Sequence, residues 1–197
     1  MDSLPANKRP FLLETQCKAK QGHRSERWFV EHLPPSKGRQ RLELGSGIGL
    51  VGLGVLLGCG VHAKMLITDQ LEMLELMKLN IERNEVQGQA SALILNWGEP
   101  LPQQVVEQKP DVIIAAECVY FEPAFPLLMQ TLKDLFALNA DATVYFCFKK
   151  RRRADMNFVK MAKKAFASRS SLTRTVPSFS GKGYFCSPSR ANTVELL

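Results

Sequence analysis

The side chains of this chain best suited to chemistry cluster where apolar runs end, and the first such place is a glycine-rich turn. In RLELGSGIGL, residues Arg41 to Leu50, an apolar strand runs into Gly45, Gly47 and Gly49 and then into a helix. Glycine adopts positive φ without steric cost and lets the backbone approach a ligand closely, because no Cβ stands in the way. The helix that follows aims unbonded N–H groups at the same spot, so the arrangement is a nucleotide cradle. Asp69 ends a second run, where its carboxylate can accept bonds from two ribose hydroxyls. Asn96 and Trp97 close a third run, and Ala116, Glu117, Cys118, Val119 and Tyr120 close a fourth. Trp97 offers a flat face for an adenine, or simply packs under the rim. Glu117 follows the apolar run from Val112 to Ala116, where a carboxylate is costly to bury without a partner. It is either a functional group, a salt-bridge member or a helix cap.

Two cofactor classes compete for the cradle. Gly47, Gly49 and Gly52 fit the dinucleotide pattern G-x-G-x-x-G, with Asp69 downstream of them. The first glycine after the strand is Gly45, however, and Glu43 lies inside the strand end. A carboxylate there suits an ammonium or sulfonium ligand and repels a pyrophosphate. A plain tight turn is the third possibility. For hydride transfer no catalytic constellation appears, since His23, His32 and His62 are scattered.

The elements that must position these groups alternate along the chain. Short strands rich in Val, Ile, Leu and Phe are predicted at Arg41 to Leu44, Lys64 to Thr68, Ala92 to Leu95, Val112 to Ala115 and Thr143 to Phe148. Between them, Leu71 to Asn84, Ala124 to Leu138 and Ala154 to Phe166 show helical period. The last buries Phe158, Met161, Ala162 and Ala165. Such alternation is the mark of an α/β fold, a parallel sheet covered on both faces. A terminal strand, Thr193 to Leu197, is expected to close the sheet edge. Met1 to Gln40 reads as an irregular extension with a short helix at Ser25 to Leu33, stopped by Pro34 and Pro35. Ser168 to Arg190 reads as loop.

Composition bounds the rest. The chain has 197 residues, 45% of them apolar, enough for one core. Its five cysteines are an odd number, form no CxxC pair and mostly sit in apolar runs, as expected of reduced thiols in a cytoplasmic protein. No apolar run is long enough to span a bilayer, and Met1 to Pro10 lacks the layout of a signal peptide, so no membrane partner is expected. A net charge of +7 is compatible with acidic partners or with solubility alone. The dense basic run from Lys149 to Arg153 invites readings as a nucleic-acid patch, a nuclear signal, a solvated loop or a docking surface. Its place after the fifth strand favours docking over nucleic acid.

The stretches LELGSGIGLVGL, ITDQ, LNWGEPL, PDVIIAAECVYFEPAFPLL and FKKRRRADMNFV resemble the small non-histone group of seven-β-strand protein-lysine methyltransferases. Glu117-Cys-Val-Tyr120 stands in place of that family's [D/E]-x-x-[Y/F] signature. The resemblance implies a Rossmann-like seven-stranded sheet with an antiparallel last strand over residues 41–197. It implies S-adenosyl-L-methionine as cofactor, held by Gly45, Ser46, Gly47, Asp69, Trp97 and Ala116 together with Glu43. Glu117 and Tyr120 would then face the lysine of a protein substrate, elongation factor 1-alpha, on a monomeric enzyme. Two departures stand out: Ile48 replaces a usual threonine, and QCKAKQGHRSERWFVEHL has no clean counterpart of the tryptophan segment that covers the cofactor in relatives. Gly22 and a shifted Trp28 are the alternatives for that place, and the role is carried to neither. A methyltransferase-like binding module without turnover is the alternative, and a nicotinamide oxidoreductase a more distant one.

Overall fold

The computed structural model describes residues 40–58, 64–148, 152–153, 155–166 and 193–196. Strands β1 (Arg41–Leu44), β2 (Met65–Asp69), β3 (Ala90–Ile94), β4 (Val112–Ala116), β5 (Thr143–Cys147) and β6 (Thr193–Leu196) form one sheet in the order β3-β2-β1-β4-β5-β6. Every pairing is parallel. Parallel neighbours need crossover connections, and among the described residues five α-helices lie between β1 and β6. They are α1 (Leu50–Gly58), α2 (Leu71–Arg83), α3 (Gln103–Gln108), α4 (Phe125–Leu138) and α5 (Asp155–Ala165).

Strand alternation divides the core in two. Leu42, Leu44, Ile113 and Ala115 point to one face with Val105 of α3, Leu128 and Leu132 of α4 and Phe158 of α5. Met65, Ile67, Val112 and Ile114 point to the other, against Val55 of α1 and Met77 and Ile81 of α2. The first face is built around Phe158, whose ring stacks on Phe146 at 4.7 Å and meets the edge of Phe125 at 5.6 Å. Truncating a phenylalanine buried this completely costs about 3–5 kcal/mol. Helix α4 opens with Pro126 in its first turn, where no N–H is needed.

The elements expected from periodicity are present, with ends shifted by one or two residues. One helix, α3, escaped it: six residues with two adjacent valines, only Val105 of which is buried, show too little period to register. Ala165, expected in the core, is exposed at the end of α5. The terminal strand does lie at the sheet edge beside β5, but it runs parallel to β5 and not antiparallel. The long connection after Ala165 permits this, because a crossover needs only a dozen or so residues. Among the described residues the sheet has six strands and no seventh. The expected helix at Ser25 to Leu33, the loop from Ser168 to Arg190, Lys149 to Arg151, and Cys17, Cys59 and Cys186 lie outside the described residues. No described helix is long and apolar enough to cross a membrane, and no metal-binding cluster occurs among the described residues.

Candidate functional site

Because all strands run the same way, their carboxyl ends share one edge. Leu44 is level with Thr68 and Ala115, Asp69 with Ile94, and Ala116 with Cys147. Chain order reverses between β1 and β4, and the crevice outside such a switch point is where open α/β sheets bind ligands. Gly45, Ser46, Gly47, Asp69, Ala116 and Glu117 all fall at this edge, and Trp97 reaches it from the turn after β3.

The glycine turn is held from below and from the side. Ser46 N–H donates to the Thr68 carbonyl at 3.0 Å, and Gly47 N–H donates to Asp69 Oδ2 at 2.6 Å. From α2, Asn80 Nδ2 donates to the Ile48 carbonyl at 2.8 Å, and Ser46 Oγ lies 3.0 Å from Met77 Sδ. Gly45, Gly47 and Gly49 have φ of 59°, 56° and 83°. Their surroundings differ. A Cβ on Gly45 would stand 2.8 Å from the Trp97 ring and 2.9 Å from Cys118 Sγ, whereas one on Gly47 would meet no atom within 4 Å. Gly47 therefore opens onto free space, and Gly45 is wedged between an indole and a thiol.

Glu43 does not present its carboxylate to that space. It is 1% exposed, and its Oε2 accepts the Gly52 N–H, in the first turn of α1, at 3.0 Å. A Cβ on Gly52 would meet this same carboxylate. The third glycine of the apparent dinucleotide pattern thus makes room for Glu43. A helix N-terminus already carrying a buried carboxylate is a poor seat for a pyrophosphate, which argues against a dinucleotide. Asp69 is half-buried, and its Oδ1 accepts Gln70 N–H at 2.7 Å, which leaves a second lone pair on each oxygen.

Across the switch point, Glu117 has φ 58°, a left-handed conformation that costs a non-glycine residue about 1–3 kcal/mol. Its N–H donates to the Cys147 carbonyl at 2.7 Å. The next residue, Cys118, is buried and points its thiol at the Leu44 carbonyl, 3.3 Å away, tying the end of β4 to the start of the glycine turn. Burial, reinforced by the charges of Glu43, Asp69 and Glu117, pushes the Cys118 thiol far above its ordinary range. Burial and then Glu117 push the Cys147 thiol up to about 12. Both thiols are free, buried and protonated. In a chain of net charge +7, Asp69 at the end of β2 and Glu117 just past β4 place two carboxylates on this edge. The electrostatics of this edge suit a cation.

Tyr120 is 63% exposed and is followed by Phe121, also exposed. Its carbonyl accepts a bond from Arg152 Nη2, the same nitrogen that lies 3.2 Å from Asp155 Oδ1. Arg152, expected in a docking surface, thus bonds the site's own loop while half of its side chain stays exposed. Thr68 and Asn80 also brace the site and were not legible as site residues; Asn80, a polar residue on the buried stripe of α2, left a signal in the sequence.

Comparison with known proteins agrees with this geometry. Protein-lysine N-methyltransferase EFM6 of Saccharomyces cerevisiae is 44% identical over 136 residues, 64% of this chain and 55% of that protein. EEF1A lysine methyltransferase 3 of Mus musculus is 35% identical over 116 residues, 58% of this chain and 47% of that protein. The chain spans about half the length of these relatives. The crystal structure of cofactor-bound Rv0187 from MTB superposes with a TM-score of 0.54 at 11% identity, covering 84% of this chain and 81% of the other, and shows the shared fold. A family profile for lysine methyltransferases matches residues 11–165, reaching from the described sheet back into the N-terminal extension, and the chain belongs to that family.

Proposed function

We propose that this chain is an S-adenosyl-L-methionine-dependent protein-lysine N-methyltransferase of the cytoplasm, with translation elongation factor 1-alpha as substrate. The observation that carries the reading is the placement of Asp69 at the end of β2 and Glu117 just past β4 on one strand edge of a basic chain, beside a glycine turn whose Gly47 opens onto free space. Family membership supports the lysine chemistry, and the name of the mouse relative points to the substrate. The same reading takes residues 41–197 as the methyltransferase domain.

The residues present fit such a cofactor. Gly47 offers the open space, Asp69 its remaining lone pairs for ribose hydroxyls, and Trp97 a half-buried indole for the adenine. Ala116 and Ser46 complete the wall, while Glu43 acts from beneath by fixing Gly52 and the start of α1. When bound, the cofactor supplies a methyl group activated by its sulfonium charge.

Transfer needs a neutral amine in line with that methyl at near-attack distance. A lysine with a reference pKa near 10.4 costs about 4–5 kcal/mol to hold neutral at pH 7. Glu117 does not lower that cost, since a carboxylate favours the charged ammonium. Its role is to capture and orient the incoming ammonium, with Tyr120 fixing the amine's direction. Desolvation as the channel fills then favours loss of the proton, so no dedicated general base is required.

The test is to incubate the chain with labelled S-adenosyl-L-methionine and purified elongation factor 1-alpha, then map the label by mass spectrometry. A methylated lysine is expected. Cofactor binding without any transfer would overturn the reading in favour of a non-catalytic module.

A further inference from the structure

The basic run after β5 meets the segment that carries Glu117 and Tyr120, and the contact has a definite geometry. Arg152 Nη2 donates to the Tyr120 carbonyl while lying 3.2 Å from Asp155 Oδ1. Asp155, the first residue of α5, is fully buried, and its other oxygen accepts Arg152 N–H at 2.8 Å. The guanidinium is therefore held at its own base by a buried carboxylate and reaches outward to one acceptor. Two residues into α5, Asn157 Nδ2 donates to Glu122 Oε1 at 3.0 Å. At the other end of the segment, Glu117 N–H is bonded to the Cys147 carbonyl. Between these anchors Tyr120 is exposed, so packing does not set the place of its side chain.

We propose that Arg152, seconded by Asn157, is a positioning residue that fixes the Tyr120 backbone, and that its charge is committed to this brace instead of to docking an acidic partner. The inference rests on the methyltransferase reading for its kinetic consequence but not for its structural one. A charge-assisted bond to a carbonyl is stronger than a neutral one, and a planar guanidinium anchored on a carboxylate loses little freedom in making it. A small displacement of a group that orients the reacting amine is expensive in rate.

Two measurements test this. In the first, Arg152→Gln is compared with wild type for kcat, KM of the protein substrate and cofactor Kd. The brace predicts kcat reduced about tenfold or more, with KM and Kd within about twofold, and Arg152→Lys in between. A docking residue would instead raise KM in a salt-dependent way and leave kcat unchanged, and that result overturns the proposal. In the second, the chain is labelled with 3-fluorotyrosine, and the Tyr120 fluorine resonance is assigned by its loss in Tyr120→Phe. Arg152→Gln should shift and sharpen that resonance while the buried Tyr145 stays put. An unmoved Tyr120 resonance contradicts the brace. Should Arg152→Gln fail to fold, Asn157→Ala, which leaves Asp155 untouched, is expected to move the same signals by less. If wild type transfers no methyl group, the functional reading fails, and the fluorine spectrum still decides the brace.

Discussion

The turn after β1 and the turn after β4 face each other across the switch point, and they reach the same left-handed backbone by opposite means. Gly45 and Gly47, at φ 59° and 56°, do so without penalty, because they have no side chain to place. Glu117, at φ 58°, does so against a steric cost that neighbouring bonds to Cys147 and Leu44 must outweigh. The first turn needs only backbone close to a ligand, so the cheapest residue serves. On the proposed function the second places a carboxylate at that point despite the strain. Glu85 and Lys109 adopt the same backbone in turns elsewhere, so it is the position of Glu117 on the switch-point edge, and not strain alone, that singles out the second turn.

Several substitutions break or sharpen this contrast. The largest effect is expected from Asp69→Ala, which removes the anchor of Gly47 and, on the proposed function, the acceptor for the ribose hydroxyls; cofactor affinity should fall roughly a hundredfold by calorimetry. Next, Gly45→Ala forces a Cβ against Trp97 and Cys118 in a left-handed backbone. It should lower unfolding stability by about 2–4 kcal/mol in urea titration, whereas Gly47→Ala, with open space around it, should lose only about 1 kcal/mol. In the opposite direction, Glu117→Gly should raise stability by about 1 kcal/mol while slowing transfer at least about a hundredfold, since it relieves strain and removes the carboxylate together. A further expectation concerns pH. Cys147 titrates near 9.0 when unfolded and about 12 when folded, so the folded state retains the proton in between. Its contribution to stability is intact below about pH 9 and is lost as pH rises from there toward 12, which alkaline denaturation curves of wild type and Cys147→Ala would separate.

The scaffold was legible because period and position are local properties. Val112 to Ala115 reads as a buried strand from its residues alone, and Leu71 to Asn84 as a helix from the spacing of its charges, each within one residue of the observed element. The chemistry-bearing residues were legible because they follow those strands directly. What escaped depended on tertiary contact. Glu43 reads as a ligand for a cation and is in fact buried under α1 on the Gly52 amide. Arg152 reads as one charge in a solvated run and is in fact bonded to the carbonyl of Tyr120, thirty-two positions earlier. Nothing in a run of like charges tells which member bonds the site's own loop. The direction of the last strand was not legible either, because a long connection leaves both directions open.

The division of labour across the switch point is tested most directly by one variant read in two ways. For Glu117→Ala, cofactor Kd is measured by calorimetry and methyl transfer by single turnover with saturating cofactor and protein substrate. The account predicts a Kd within about threefold of wild type and transfer slowed roughly a hundredfold. Full turnover in this variant would contradict it.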